Sequence, residues 1–259
     1  MCLAAFAVGV CEAFPLVVAA NRDESHDRPT AAADWWTVPS GILGGRDLEA
    51  GGSWLAVDRR GRLAAVTNRL SPGRRTFPGS RGHLVSDFLA APHAAEAFCD
   101  ERARAPEEFG PYSLLLFDGG GLVHSSNGSG AQRLAAGIHV LSNAPLGTPW
   151  PKVEFAASRL ATILEGEPGQ DDLIRQLFDL LESRDSPDFG AEAANLHWRT
   201  RAVFVSDERY GTRSSSLVLL SRDGEMIFVE RRFGADGEQQ GESNFRFTPA
   251  PAGEPQASR

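Results

Sequence analysis

The chain has 259 residues, of which 42% are hydrophobic and 23% are charged, and its formal net charge is −8. This composition is typical of a soluble globular protein with a substantial core, and the acidic balance argues against a nucleic-acid-binding protein. No apolar run approaches the ~20 residues of a membrane-spanning helix, and the basic region of a signal peptide is missing. We therefore expect a cytoplasmic protein without a transmembrane segment.

The spacing of cysteines and histidines predicts no metal centre. The cysteines, Cys2, Cys11 and Cys99, form no paired motif, so neither a disulfide framework nor a zinc site is indicated. The six histidines are scattered along the chain without the spacing of metal ligands. We expect no metal and no resident cofactor.

The first predicted element is a β-hairpin. Two short and mostly apolar runs, residues 1–10 and 16–24, flank a turn-like segment. A turn centred near Glu12 pairs positions whose numbers sum to about 25, so Cys2 lies opposite Asp23, within one residue. Directly opposed side chains have Cβ atoms roughly 4.5–5.5 Å apart, so the hairpin brings the thiol to a dense run of polar groups.

That polar run, Asn21-Arg22-Asp23-Glu24, ends an otherwise apolar strand. Alternation along a strand places Asn21 and Asp23 on one face, and it places Arg22 and Glu24 on the other. One of the two pairs can therefore address Cys2. The alternative is a solvated strand end that leads into a loop.

Cys2 itself is a candidate nucleophile. Removal of the initiator Met before a small residue leaves a thiol and a free α-amine on the same residue. The amine has a reference pKa of about 7.7–8.0 and can accept the proton of the thiol, which is the arrangement of N-terminal nucleophiles. The alternative is a small hydrophobic residue in an apolar strand.

A glycine-rich segment follows the hairpin and a loop. Residues 41–52 hold five glycines around Arg46 and Asp47. They lack the spacing of a nucleotide-binding loop, so they predict tight turns or a close approach of the backbone to a ligand.

Further strands and helices follow in chain order. Predicted strands cover residues 54–57, 63–67, 112–118, 122–126, 138–141, 201–205, 214–220 and 226–230, and predicted helices cover residues 80–89, 93–103, 152–164 and 171–183. We assign residues 1–233 to one domain and residues 234–259 to a flexible tail, because Glu, Gln, Gly and Pro dominate that tail. Within it, Phe245 and Phe247 allow an edge strand.

Several motifs resemble, in order, those of the NRDE family, also called the transport-and-Golgi-organisation family. They span about residues 1–233 and are Met1-Cys2, Asn21-Arg22-Asp23-Glu24, Arg28-Pro29, Gly44-Gly45-Arg46-Asp47, Gly51-Gly52-Ser53-Trp54-Leu55, Asn68, Ser142-Asn143-Ala144-Pro145, Thr148-Pro149-Trp150-Pro151-Lys152-Val153 and Tyr210-Gly211-Thr212-Arg213-Ser214-Ser215. The resemblance implies an α+β fold similar to that of the N-terminal-nucleophile hydrolases, a four-layer αββα sandwich with two antiparallel sheets between helical layers. It also implies Golgi organisation and haem or acyl-lipid handling as associations, rather than one agreed reaction.

The first functional hypothesis is an amidohydrolase in which Cys2 attacks a linear amide C–N bond. Its other predicted catalytic residues are Asn21, Arg22, Asp23 and Asn143, and its predicted substrate-binding residues are Glu24, Arg46, Asp47, Trp54, Asn68 and Arg213. Asn143 resembles the oxyanion donor of choloylglycine-type hydrolases, a related group with an N-terminal cysteine, and the alternative is a turn beside Pro145. Those hydrolases place an Arg and an Asp at set positions of the second strand. The run 21–24 fits that pattern only with a shifted register, so the role of each residue in it stays open.

The second hypothesis is a non-enzymatic carrier of haem or an acyl-CoA-like ligand in the same cleft. Arg22, Arg46 and Arg213 would then bind carboxylates or phosphates. Haem would need an axial ligand such as Cys2 or a histidine, and no haem attachment motif is present. In either hypothesis the expected partner is a small-molecule substrate or ligand.

Overall fold

In the computed structural model, apolar strands form two antiparallel sheets, and amphipathic helices pack on the outer faces of these sheets. The structure describes residues 2–70, 76–184 and 200–250. The strands are β1 (Leu3–Val8), β2 (Leu16–Ser25), β3 (Thr30–Trp35), β4 (Ile42–Asp47), β5 (Leu55–Asp58), β6 (Leu63–Asn68), β7 (Tyr112–Phe117), β8 (Leu122–Ser126), β9 (Ser129–Arg133), β10 (Gly137–Leu141), β11 (Tyr210–Leu220), β12 (Met226–Phe233) and β13 (Gln239–Phe247). The helices are α1 (Arg81–Ala90), α2 (Ala95–Arg102), α3 (Pro151–Glu165) and α4 (Gln170–Leu181). In this part of the chain no helix is long and apolar enough to cross a membrane.

Apolar side chains pack the sheets and helices into four layers. The first sheet has the strand order β10-β1-β2-β11-β12-β13, and α3 and α4 cover its outer face. The second sheet has the order β3-β4-β5-β6-β7-β8-β9, and α1 and α2 cover its outer face. The inner faces pack on each other through residues such as Phe6, Leu115 and Phe228, which are fully buried. The predicted α+β sandwich of αββα layers is therefore confirmed.

The hairpin of β1 and β2 is apolar on both faces because both faces are covered. Ala5 and Ala19 lie in the core under α3 and α4, whereas Ala4 and Val18 lie in the core between the sheets. A short continuous apolar run is the pattern of a strand buried on both faces. The polar residues at the end of β2 lie where this covering ends.

The register of this hairpin fixes the position of Cys2. Ala4 pairs with Ala20, so paired numbers sum to 24 rather than 25, within the predicted allowance of one residue. Leu3 pairs with Asn21, and one step further along the same register Cys2 comes opposite Arg22. Its Sγ atom lies 3.9 Å from the carbonyl oxygen of Asp23, so the thiol meets the polar run.

Residues 201–205 do not form the predicted strand. The Asn21 side chain donates a hydrogen bond to the carbonyl of Val203 at 3.0 Å, and the N–H of Val205 donates to Oγ1 of Thr212 at 2.9 Å. Side chains thus satisfy backbone groups that a sheet ladder would otherwise satisfy. The apolar residues are buried, as the pattern indicates, but in an irregular segment.

The third strand of the C-terminal meander is instead β13, which lies in the segment assigned to the tail. It pairs with β12 at the edge of the first sheet. The ring centroid of Phe247 lies 5.1 Å from that of Trp35 on the second sheet, and Phe245 packs in the same layer. The edge strand that these phenylalanines allow is therefore present.

Glu230 of β12 is a carboxyl group buried between the sheets, with 1% of its surface exposed. Its Oε1 atom accepts a hydrogen bond at 2.8 Å from the N–H of Ala33, in the irregular part of β3. Burial raises the pKa of Glu230 from its ordinary 4.5 to about 7, although this hydrogen bond opposes the rise. The folded protein therefore retains a proton that the unfolded chain releases, so stability falls as the pH rises from about 4.5 to 7.

We predict that Glu230→Gln stabilises the protein more at pH 8 than at pH 5. The amide keeps an acceptor for Ala33 and has no charge to bury, so its advantage grows by about 3 kcal/mol over this range, at about 1.4 kcal/mol for each pKa unit. Denaturant unfolding at the two pH values measures the difference. Glu225→Gln, at a side chain that is 42% exposed, removes a carboxyl group from the surface and serves as the control. An equal effect of Glu230→Gln at both pH values would contradict the prediction.

Candidate active site

A cavity of about 500 Å³ opens at the end of β2 where the polar run lies. Among the residues predicted for a site, its walls contain Cys2, Arg22, Asp23, Glu24, Asp47, Trp54, Asn68 and Asn143. The cavity therefore joins the end of the first hairpin to the glycine-rich segment, to the end of β6 and to the segment after β10.

Cys2 is half-buried in the cavity wall, and its backbone is held from two sides. Its carbonyl oxygen accepts a hydrogen bond from Oγ of Ser142 at 2.7 Å, and Nζ of Lys152 donates to the same oxygen at 3.5 Å. Burial raises the pKa of the thiol above its ordinary 9.0, and the positive charge of Arg22 opposes the rise. At neutral pH the group is a thiol, so a base must take its proton before the sulfur can act as a nucleophile.

Asp23 and Lys152 are both buried beside Cys2. Oδ1 of Asp23 accepts a hydrogen bond from Oγ1 of Thr212 at 2.8 Å, and its backbone carbonyl accepts one from the hydroxyl of Tyr210 at 2.8 Å. Burial raises the pKa of Asp23, and the charge of Lys152 opposes this rise. Burial likewise lowers the pKa of Lys152, and the charge of Asp23 opposes that fall. Each group thus favours the charged form of the other.

A second charged cluster forms the wall between the sheets. The guanidinium of Arg22 donates to Oγ1 of Thr30 at 3.1 Å and lies 3.5 Å from Asp47, with the Trp54 ring 4.6 Å away. Nε of Arg28 donates to the same Asp47 carboxylate at 2.6 Å. Burial raises the pKa of Asp47, but the hydrogen bond from Arg28 outweighs this effect and holds the pKa below its usual range. One carboxylate thus orders two guanidinium groups, while Glu24 lies 3.9 Å from Arg22 at the cavity surface.

Asn143 and Asn68 meet at the opposite side of the cavity. Nδ2 of Asn143 donates to the backbone carbonyl of Asn68 at 2.5 Å, and the carbonyl of Asn143 accepts from the N–H of Leu70 at 3.0 Å. An amide nitrogen carries two N–H groups, so one donor of Asn143 is left for a ligand. Its Oδ1 atom has no hydrogen-bond partner among the residues that the structure describes. Asn68 contributes its backbone carbonyl to this contact, and the residue is exposed at the cavity mouth.

Asn21 lies on the face of β2 that the helices cover and does not line the cavity. Its Nδ2 donates to the carbonyls of Leu181 and Val203 at 2.7 and 3.0 Å, and its Oδ1 accepts from Ser215 at 2.7 Å. These bonds occupy both the nitrogen and the oxygen of the side-chain amide, so this placement does not support the predicted catalytic role of Asn21. Asn21 instead fastens the end of α4 and the segment after it to the first sheet.

Arg46 and Arg213 also lie outside the cavity wall. Arg46 packs over the ring of Trp36 at 4.5 Å and donates to the carbonyl of Gly51 at 3.0 Å. Arg213 donates from Nη1 to the carbonyl of Ser25 at the end of β2, at 2.8 Å, and to two carbonyls of the loop that follows. Both guanidinium groups hold loops in place, so their predicted part in substrate binding finds no support in the geometry.

Three ionisable residues of the wall, and one buried next to it, were not predicted as site residues: Arg28, Arg81, Tyr210 and Lys152. Arg81 comes from α1, in the outer layer of the second sheet, and no sequence pattern indicates that this helix reaches the cavity. Lys152 did carry a signal, since it is the only lysine of the chain. Within the described ranges, no group of three or more His, Cys, Asp or Glu side chains could hold a metal ion.

The sequence of the chain matches a known protein family over most of its length. The family model of Transport and Golgi organisation 2 matches residues 1–235. The chain belongs to this family. Its relatives in the family include the Transport and Golgi organization protein 2 homolog of Bos taurus, 34% identical over 239 residues that cover 85% of this chain and 87% of the relative. The human homolog is 32% identical over the same shares of both chains, and the Drosophila melanogaster protein is 26% identical over 84% and 86%.

Solved structures of two hydrolases also align with the chain. The Caenorhabditis elegans ortholog of N-acylethanolamine-hydrolyzing acid amidase aligns with a TM-score of 0.47 at 10% identity, over 84% of this chain and 92% of that chain. A variant of conjugated bile acid hydrolase from Clostridium perfringens aligns with a TM-score of 0.47 at 10% identity, over 97% and 98%.

We predict that Asn21→Ala lowers stability without changing the reactivity of Cys2. The change leaves buried carbonyls without donors, each at a cost of about 1–3 kcal/mol, so we expect the free energy of unfolding to fall by roughly 2–4 kcal/mol. Asn244→Ala, at an exposed position of β13, is the matched control, with an expected change within about 0.5 kcal/mol. Denaturant unfolding and the rate of Cys2 alkylation are measured together. Loss of Cys2 reactivity at unchanged stability would contradict this assignment.

Proposed function

We propose that the protein is an N-terminal-cysteine hydrolase that cleaves a linear amide C–N bond with Cys2 as nucleophile. The observation that carries the proposal is the position of the thiol in a cavity wall beside a buried carboxyl and a buried ammonium group. The raised pKa of the thiol makes a nearby base necessary. The α-amine of Cys2, set free by removal of Met1, is the base that we propose.

In the first half of the proposed reaction, the α-amine takes the thiol proton as sulfur attacks the carbonyl carbon of the amide. The C–S bond forms, the carbonyl electron pair moves onto oxygen, and the remaining N–H of Asn143 donates to that oxyanion. Donors of this kind typically stabilise the transition state by about 3–4 kcal/mol. The C–N bond then breaks, the α-ammonium group returns the proton to the leaving nitrogen, and an amine departs from a thioester on Cys2.

In the second half, the α-amine takes a proton from water, and the resulting hydroxide attacks the thioester carbon. The C–S bond breaks, a carboxylic acid leaves, and the proton returns to sulfur. Asp23 supports both halves because a carboxylate beside Cys2 favours the ammonium form that each step creates. Arg22, Asp47 and Trp54 keep the wall in place and do not take part in proton transfer.

We predict that Cys2→Ala abolishes hydrolysis of any amide that the wild-type protein cleaves in a panel of N-acyl amides. Loss of the nucleophile should reduce kcat/KM by about 10³-fold or more. Cys11→Ala removes another half-buried thiol and serves as the control, with activity retained. Full activity of Cys2→Ala on a substrate of the wild-type protein would refute the mechanism.

One feature of the cavity also favours a second candidate function, the binding of an anionic ligand such as haem or an acyl-CoA without turnover. Arg81 lies in the wall and donates to the carbonyl of Pro111 at 3.3 Å, but it has no carboxylate partner in the described part of the chain. A guanidinium in this setting is suited to a carboxylate or phosphate. Among the described wall residues, Cys2 and Tyr210 carry the side chains able to ligate haem iron.

If this second function holds, haem or an acyl-CoA raises the melting temperature of the wild-type protein, and Arg81→Met removes most of that rise. The reason is that the variant loses the cation that we expect to bind the anionic group. Arg159→Met, on the exposed side of α3, is the control and keeps the full rise. Absence of a ligand-dependent shift in the wild-type protein would exclude this function for the ligand tested.

A further inference from the structure

Lysine occurs only once among the 26 cationic residues of the chain, and that lysine is Lys152. The two cationic side chains are not interchangeable. Arginine keeps its charge under all ordinary conditions and has a broad planar head, whereas the lysine ammonium is compact and gives up its proton readily when buried. In a chain that otherwise uses arginine, a single lysine marks a place where a compact or titratable cation is needed.

The position of Lys152 is also unfavourable for a cation. Its side chain is fully buried, which lysine tolerates only when it is paired. It lies in the first turn of α3, where the positive end of the helix dipole disfavours positive charge. Local rules are broken mostly at sites that serve a function.

Lys152 contacts the backbone of Cys2, the proposed nucleophile. Its Nζ atom is 3.5 Å from the carbonyl oxygen of Cys2, which also accepts a hydrogen bond from Ser142 at 2.7 Å. The charge of Asp23 and that of the Cys2 thiolate both favour the ammonium form of Lys152. Because such interactions are reciprocal, the ammonium favours ionised Asp23 and the thiolate in turn.

We propose that Lys152 is a positioning residue of this site: its ammonium group keeps Asp23 ionised and holds the carbonyl of Cys2, so that a carboxylate stands beside the nucleophile. Lysine suits both tasks, since its small head fits a fully buried site and donates to an oxygen there. The proposal rests on the proposed function in taking Cys2 as the nucleophile. The titration of Lys152 and Asp23 and the alkylation of Cys2 test the role of Lys152 without a substrate.

Other charged or titratable groups face the same place from the elements packed around it. They are the thiol of Cys2 with the α-amine that loss of Met1 frees, Arg22 and Glu24 of β2, Tyr210 of β11 and Arg81 of α1. All of them stay unchanged in the variants used here. A change in the titration of Asp23 therefore reports the loss of Lys152 itself.

The first measurement uses the full-length wild-type chain labelled with ¹³C at Cε of lysine. Because the chain has one lysine, the labelled protein gives one lysine signal, whose chemical shift reports the protonation of Lys152. We expect the ammonium form at pH 7. A neutral amine at that pH would overturn the proposal, and this result does not depend on any variant folding.

The second measurement follows Asp23 by ¹³C labelling of aspartate carboxyl carbons, with its signal assigned by its loss in Asp23→Asn. In Lys152→Met we expect the pKa of Asp23 to rise by about 1–3 units, the usual effect of removing an adjacent opposite charge. Lys152→Arg keeps the charge but has a broader head that fits the buried site less well, so we expect it to restore only part of this difference. Arg159→Met removes a cation from the exposed side of the same helix and should leave the titration unchanged.

The third measurement is the alkylation rate of Cys2 by iodoacetamide across pH, with Cys11 and Cys99 separated by peptide mass spectrometry. Lys152→Met should slow alkylation at pH 7.5 by about tenfold, the effect of one pKa unit on the thiolate fraction. Unchanged Asp23 titration together with an unchanged alkylation profile in folded Lys152→Met would overturn the proposal. If instead both change but Cys2→Ala still hydrolyses its substrate, the hydrolase mechanism fails while the role of Lys152 stands.

Discussion

The pairing of β1 with β2 is the constraint on which the rest of the site depends. Ala4 pairs with Ala20, and this register decides which residues of the run 21–24 face the helices and which face the second sheet. A slip by one residue would turn every side chain to the opposite face. It would bring Asn21, which is bonded to α4 and the segment after it, into the space between the sheets. The apolar packing on both faces and the position of Cys2 are therefore specified together.

The other parts of the site are brought to this hairpin by the layers around it. Oγ of Ser142, directly after β10, donates to the carbonyl of Cys2, and the carbonyl of Ser142 accepts a hydrogen bond from Thr67 of β6 at 2.8 Å. The two sheets are thus joined next to the thiol, and Asn143 is placed at the same point. Lys152 comes from the helical layer of the first sheet and Arg81 from that of the second. The cavity therefore lies where all four layers meet, and side chains placed by strands and helices are held more precisely than side chains on loops.

Periodicity made the helices, the first hairpin and the buried strands predictable, because apolar spacing directly reports which face is covered. The sequence analysis missed β3 because this strand is bulged, β4 because it is rich in glycine, and β9 because it is mostly exposed. Within the site, the predicted register of the first hairpin placed Cys2 close to Asp23. Asn143 was predicted only from the resemblance to choloylglycine-type hydrolases. Arg46 and Arg213 belong to motifs of the family, but a motif does not say whether a guanidinium faces a cavity or holds a loop, and here they bind backbone carbonyls.

The central claim is that Cys2, freed by loss of Met1, is the reactive nucleophile of the cavity. The most direct test is the intact mass of the purified full-length protein before and after brief treatment with a thiol-directed acylating probe. The account predicts a mass that lacks Met1 and a single added label, located on Cys2 rather than on Cys11 or Cys99. A retained Met1 would leave Cys2 without an α-amine and would contradict the account.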